Sequence, residues 1–116
     1  MSVWSLVYYE TAAGRYPVKD YIADLEPEER ARVTFDLELL ESFGLGLGAP
    51  YVRSIRGKLR ELRTRGRIQH RLLYFAVSGK RLVLLHAFAK KSEKTPPAEI
   101  DTAMRRMADY LERMGR

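Results

Sequence analysis

Between residues 59 and 89 the chain passes through three apolar segments separated only by turns, and no other stretch constrains the fold as tightly. Residues 59–64, 68–77 and 81–89 are rich in leucine, β-branched and aromatic side chains and read as strands. Arg65-Gly66 marks the first turn and Ser78-Gly79-Lys80 the second. Connections this short join antiparallel neighbours, so the three strands form a meander. Residues 81–89 are the most apolar of the three.

The flanks supply helices and one more strand. Residues 3–9 read as a strand, broken by Gly14 and Pro17, and residues 18–25 as a short helix. Pro27 then opens a longer helix with Glu28 and Glu29 in its first turn, where acidic groups complement the helix dipole. Val33, Leu37, Leu40 and Phe43 give it an apolar face, and it stops at Gly44. Gly44-Leu45-Gly46-Leu47-Gly48-Ala49-Pro50 is a loop. Thr95 reads as the N-cap of a last helix with Pro96 at its first position. Ala103, Met104, Met107, Ala108 and Leu111, with Ile100, form its packing stripe. Strand, two helices, three strands and a helix suggest a single α+β domain over residues 1–116, with helices covering one face of a largely antiparallel sheet.

Charge is unevenly placed. Residues 53–94 hold 13 basic and 2 acidic side chains, whereas residues 1–52 hold 4 and 9, and residues 95–116 hold 4 of each. The net +6 therefore comes from one central segment. Such a concentration is either a solvated basic face or the footprint of a polyphosphate partner. The absence of cysteine excludes a disulfide framework, a thiolate zinc site and a cysteine nucleophile. No apolar stretch approaches the roughly 20 residues needed to span a bilayer. The N-terminus also lacks the charged start and apolar run of a signal peptide, so a cytoplasmic protein without membrane partners is expected.

Alternation within the strands places Glu61 and Arg63 on one face and Arg60, Leu62 and Thr64 on the other. On the next strand Arg71 shares a face with Gln69, Leu73 and Phe75. A turn at Arg65-Gly66-Arg67 brings Arg63 and Arg71 onto neighbouring strands. Two guanidiniums so placed repel unless an anion lies between them, and Glu61 and a phosphodiester are the two candidates. His70 alternates with Arg71 and faces away, His86 reads as a satisfied histidine within an apolar strand, and Tyr74 reads as packed in the sheet. Glu61 stands either as a general base or as the ion-pair partner that orders Arg63.

Glu-Leu-Arg at residues 61–63, followed after a short turn by Arg71-Leu72-Leu73-Tyr74, resembles the central strands of toxins of the RelE/ParE superfamily. The run Leu84-Leu85-His86-Ala87-Phe88-Ala89-Lys90-Lys91-Ser92-Glu93-Lys94-Thr95-Pro96 is similar to the signature of its phage-derived, HigB-like branch. The resemblance covers nearly the whole chain. It implies a RelE-like α+β fold: a mainly antiparallel twisted sheet, joined by the first strand, with two N-terminal helices on one face and a C-terminal helix. It also implies the toxin of a type II toxin–antitoxin pair, an endoribonuclease that cuts messenger RNA without metal or cofactor, usually on the ribosome. The 2′-hydroxyl attacks the adjacent phosphate, leaving a cyclic phosphate and a free 5′-hydroxyl. Carried over by position, Arg63, Arg71 and Lys90 become candidates for phosphate and transition-state contacts, with Glu61 beside them. Lys58, Arg60, Arg65, Arg67, Lys91 and Lys94 become candidates for holding RNA. The implied partners are messenger RNA, the ribosome and a cognate antitoxin, expected to be a helix-turn-helix DNA-binding protein. The alternatives are a ParE-like inhibitor of DNA gyrase and an RNA- or ribosome-binding module without chemistry.

Overall fold

The computed structural model describes residues 3–115. Five strands form one sheet: β1 (Ser5–Tyr8), β2 (Val52–Arg56), β3 (Leu59–Arg63), β4 (His70–Val77) and β5 (Arg81–Ala89). Their order across the sheet is β1-β5-β4-β3-β2. β2 to β5 are an antiparallel meander, and β1 joins β5 in parallel, with Ser5 opposite Arg81. The sheet is thus mixed but mainly antiparallel. β2 is an addition to the expected strands: its sequence, Val-Arg-Ser-Ile-Arg, has too little apolar content to stand out after a glycine-rich loop. β4 begins at His70, two residues later than the apolar pattern suggests, because residues 65–69 form the connection from β3.

Three helices cover the sheet. α1 (Pro17–Ala23) and α2 (Pro27–Phe43) lie on one face. Val18, Val33, Leu37 and Leu40 pack there against Leu62, Leu72, Tyr74, Leu82 and Leu84. α3 (Pro97–Met114) lies on the other face, where Ala103, Met107 and Tyr110 meet Leu59, Leu73, Phe75, Val83 and Leu85. The expectation that helices cover one face is therefore corrected. Burial on both faces explains why β4 and β5 are nearly continuous apolar runs rather than alternating ones. α3 is also tied to the segment after β1: the Tyr9 hydroxyl donates to Asp109 at 2.5 Å, and Arg113 pairs with Asp109 and donates to the Glu10 carbonyl.

Two local features fix this arrangement. α2 ends at Gly44, whose φ of +54° suits glycine and whose missing side chain makes room for Trp4. A bulge opposite Leu73 and Tyr74 leaves Leu85 as an extra residue in β5. Leu85 and His86 then both turn toward α3, where His86 meets Glu99 and Arg106.

Candidate active site

Where β3 ends and β4 begins, Arg63 stands directly opposite Arg71. Both side chains lie on the α3 face, together with Arg53 from β2, whose strand partner is Glu61. Glu61 is 0% exposed. Its Oε1 lies 3.3 Å from Arg53 Nη2, 3.9 Å from Arg63 Nε and 3.7 Å from Arg71 Nε. Its Oε2 accepts the Thr95 hydroxyl proton at 2.5 Å. Thr95 Oγ1 in turn accepts from Arg53 Nη2 at 3.2 Å. One buried carboxylate therefore holds three guanidiniums from three strands, and Thr95, two positions before α3, closes the set.

The cluster is graded by depth. Arg71 is 3% exposed, and burial, followed by the nearby charge of Arg63, holds its pKa below the usual arginine range. Arg63 is partly exposed and Arg53 is exposed. Lys90, just past β5, is fixed through its own N–H to the Gln69 carbonyl at 2.8 Å. Its ammonium pairs with Glu93 Oε2 at 2.5 Å, while Glu93 Oε1 lies 3.8 Å from Arg63 Nη2. Glu93 is 81% exposed, so its carboxylate caps the cationic cluster from the solvent side. Lys90 foremost, then Arg63 and Arg71, hold its pKa below the ordinary glutamate range.

The residues singled out from sequence thus divide. Arg63, Arg71, Glu61 and Lys90 come together. Lys91 and Lys94 are exposed on the segment that carries Glu93. Arg65 and Arg67 instead line a groove beside α2, with Phe35, Ile68 and Glu29, and Arg65 stacks over the Tyr51 ring. Arg60 lies on the α1–α2 face, opposite Tyr74 on β4 and beside its hydroxyl. Lys58 lines a cleft with Ser78, Gly79 and Lys80 at the far end of the sheet. Three members of the cluster escaped the sequence reading. Arg53 sits on the unexpected strand, Thr95 reads as a helix cap, and Glu93 lies within a run of lysines. A usable signal existed: Glu61 and Glu93 are the only two acids among residues 53–94, and both belong to the cluster.

The histidines lie outside it. His70 is buried on the α1–α2 face, its Nδ1 2.6 Å from the Tyr21 hydroxyl and its Nε2 2.9 Å from Glu29. His86 shares the α3 face, but its Nε2 is held by Glu99 at 2.6 Å and its Nδ1 faces Arg106 at 3.3 Å. Among the described residues, no group of three His, Cys, Asp or Glu side chains is placed to hold a metal ion. No helix among them is long and apolar enough to cross a membrane.

Guanidiniums present planar forks of donors to oxyanions, and a preorganised cluster of them stabilises negative charge without further rearrangement. The fold and cluster define a small basic α+β protein with a cluster of cationic side chains around a buried carboxylate at the strand ends of one sheet face. The chain belongs to the family described as Phage derived protein Gp49-like (DUF891), whose model matches residues 20–108. That family is RelE-like and associated with the toxins of toxin–antitoxin systems. No curated protein matches the chain.

Proposed function

We propose that this protein is the toxin of a type II toxin–antitoxin pair, of the HigB-like branch, and a metal-independent endoribonuclease that cuts messenger RNA on the ribosome. The observation that carries the reading is the Arg63–Arg71 pair around buried Glu61, with Lys90 at its rim. Family membership supports the toxin part. In this reading Arg53, Arg63 and Lys90 meet the scissile phosphate from the exposed side, and Arg71 adds positive charge from beneath. Arginine forks match the phosphoryl oxygens, where charge gathers in the transition state. Glu61 orders the guanidiniums. Lys91 and Lys94 extend the basic surface along the RNA path, as do Arg65 and Arg67 around the β3–β4 connection. These contacts are salt-sensitive, as phosphate contacts are. A cognate antitoxin restrains the protein in the cell.

The test is induced expression in a bacterial host with mapping of message 5′ ends, comparing the native chain with Arg63→Ala and Arg71→Ala. Arg63→Ala is the cleaner variant because its side chain is partly exposed. New codon-phased ends that vanish in folded variants support ribosome-linked cleavage. Growth arrest without new ends, together with loss of supercoiling by purified gyrase, replaces this reading with gyrase inhibition. Ribosome binding without cleavage replaces it with a binding module.

A further inference from the structure

Cleavage by the 2′-hydroxyl needs a group to accept its proton, and the cluster offers few. Glu61 is sealed: three guanidiniums crowd one oxygen and the Thr95 hydroxyl occupies the other. His70 is on the opposite face, paired with Glu29 and Tyr21. His86 has both ring nitrogens engaged by α3. Glu93 differs from all of these. It is 81% exposed and stands at the mouth of the cluster, its carboxylate 2.5 Å from the Lys90 ammonium and 3.8 Å from Arg63 Nη2. Its main-chain carbonyl accepts a long, exposed hydrogen bond from Arg53 at 3.4 Å.

We propose that Glu93 is the general base of the cleavage: its carboxylate holds Arg63 and Lys90 in the free protein, and takes the ribose 2′-hydroxyl proton once a phosphodiester has claimed those cations. The proposal rests on the ribonuclease reading above. Arg63 and Lys90 can each serve one anion at a time at full strength. An incoming phosphate competes with Glu93 for both cations and frees its carboxylate at the mouth of the cluster, where the phosphodiester and its ribose must sit. In the free protein Lys90, Arg63 and Arg71 face the carboxylate and Arg53 holds its carbonyl, so the group is ionised and able to accept. With the phosphate in place it loses two counterions and gains an anionic neighbour, and both changes raise its proton affinity. The proton then passes from the 2′-oxygen to Glu93 while the 2′-oxygen bonds to phosphorus. The bond from phosphorus to the 5′-oxygen breaks, and the departing 5′-oxygen takes a proton from the Lys90 ammonium. A cyclic phosphate and a 5′-hydroxyl leave. Glu93 then loses its proton to solvent and Lys90 regains one, which restores the ion pair.

The experiment is single-turnover cleavage of a translated message in a reconstituted translation system across pH, with the native chain, Glu93→Gln and Glu93→Asp. Affinity for ribosomes programmed with a 2′-O-methylated message is measured in parallel. Glu93→Gln is expected to cut about 10²- to 10⁴-fold more slowly, the usual contribution of a general base. It should also lose the acid limb of the pH profile, yet bind the blocked message at least as tightly. Glu93→Asp should keep part of the rate and the limb. A Glu93→Gln protein that cuts at the native rate or faster with the limb intact overturns the proposal and leaves Glu93 a mere competitor for the phosphate. A native chain that cuts nothing overturns the ribonuclease reading and this proposal with it, and is recognised because all three proteins are equally silent.

Discussion

The Thr95 hydroxyl donates its proton to the buried Glu61 carboxylate, 34 residues away in sequence, and accepts from Arg53 on its other side. Without that hydroxyl, Glu61 Oε2 loses a donor in a place water scarcely reaches. Thr95→Val, nearly the same shape, is therefore expected to cost about 1–3 kcal/mol, the usual penalty for an unsatisfied buried polar group. Thr95→Ser should restore most of it. Urea unfolding of the three proteins decides the matter, and equal midpoints for valine and threonine would rule out the bond.

The carboxylate itself is worth more. Glu61→Gln leaves three guanidiniums packed together with no charge between them. Breaking a buried ion pair from one side costs about 3–5 kcal/mol. A loss of that order is expected, deeper at low salt because the repulsion left behind is less screened. Adding Arg71→Met to the Glu61→Gln chain should recover part of it, since Arg71 is the most buried of the three cations. Denaturation at two salt concentrations would show both effects. A Glu61→Gln protein as stable as the native chain contradicts this account of the cluster.

His86 makes stability depend on pH. Burial first, then Arg106 and Arg105, push its pKa down from the ordinary histidine value against the pull of Glu99. A depressed folded-state pKa means that the unfolded chain binds the proton more readily. The stabilising contribution is complete above the unfolded value of about 6.5 and is lost as pH falls from there through the folded pKa. Thermal melts between pH 8 and pH 5 should show a decline that His86→Gln reduces. If the variant falls as steeply as the native chain over that window, His86 is not the group responsible.

Gly44 is expected to tolerate no side chain. A Cβ there would lie 2.0 Å from the Trp4 ring, at a φ of +54° that already disfavours other residues. Gly44→Ala should destabilise by about 1–3 kcal/mol from overpacking alone. Trp4 is the only tryptophan, so its fluorescence reports unfolding and local displacement in one experiment. An unchanged emission maximum and midpoint would show that the helix end gives way freely.

Much of this was legible from residues alone because strand alternation is rigid. Glu61, Arg63 and Arg71 had to share a face, and Arg60 and His70 had to leave it, as the β3–β4 register and the partners of those side chains show. The side on which α3 packs was not legible: an apolar stripe such as Ala103, Met107 and Leu111 declares that a helix is covered, not by which surface. Thr95 illustrates a conflict between local and distant rules. Next to Pro96 it reads as a cap, but the helix starts at Pro97 with no side-chain cap, and the hydroxyl goes to β3 instead. Arg53 was hidden because an edge strand with one buried residue carries almost no periodic signal.

The parallel pairing of β1 with β5 has a consequence for the chain while it is being made. Ser5 waits for Arg81, and the cationic cluster waits for Thr95, so the sheet edge closes only after residue 81 has emerged and the site only after residue 95. On the function proposed above, the protein would be built by the very machine it attacks. On that reading, the carboxylate that gathers the arginines lacks its Thr95 partner in any nascent chain that has not yet exposed residue 95.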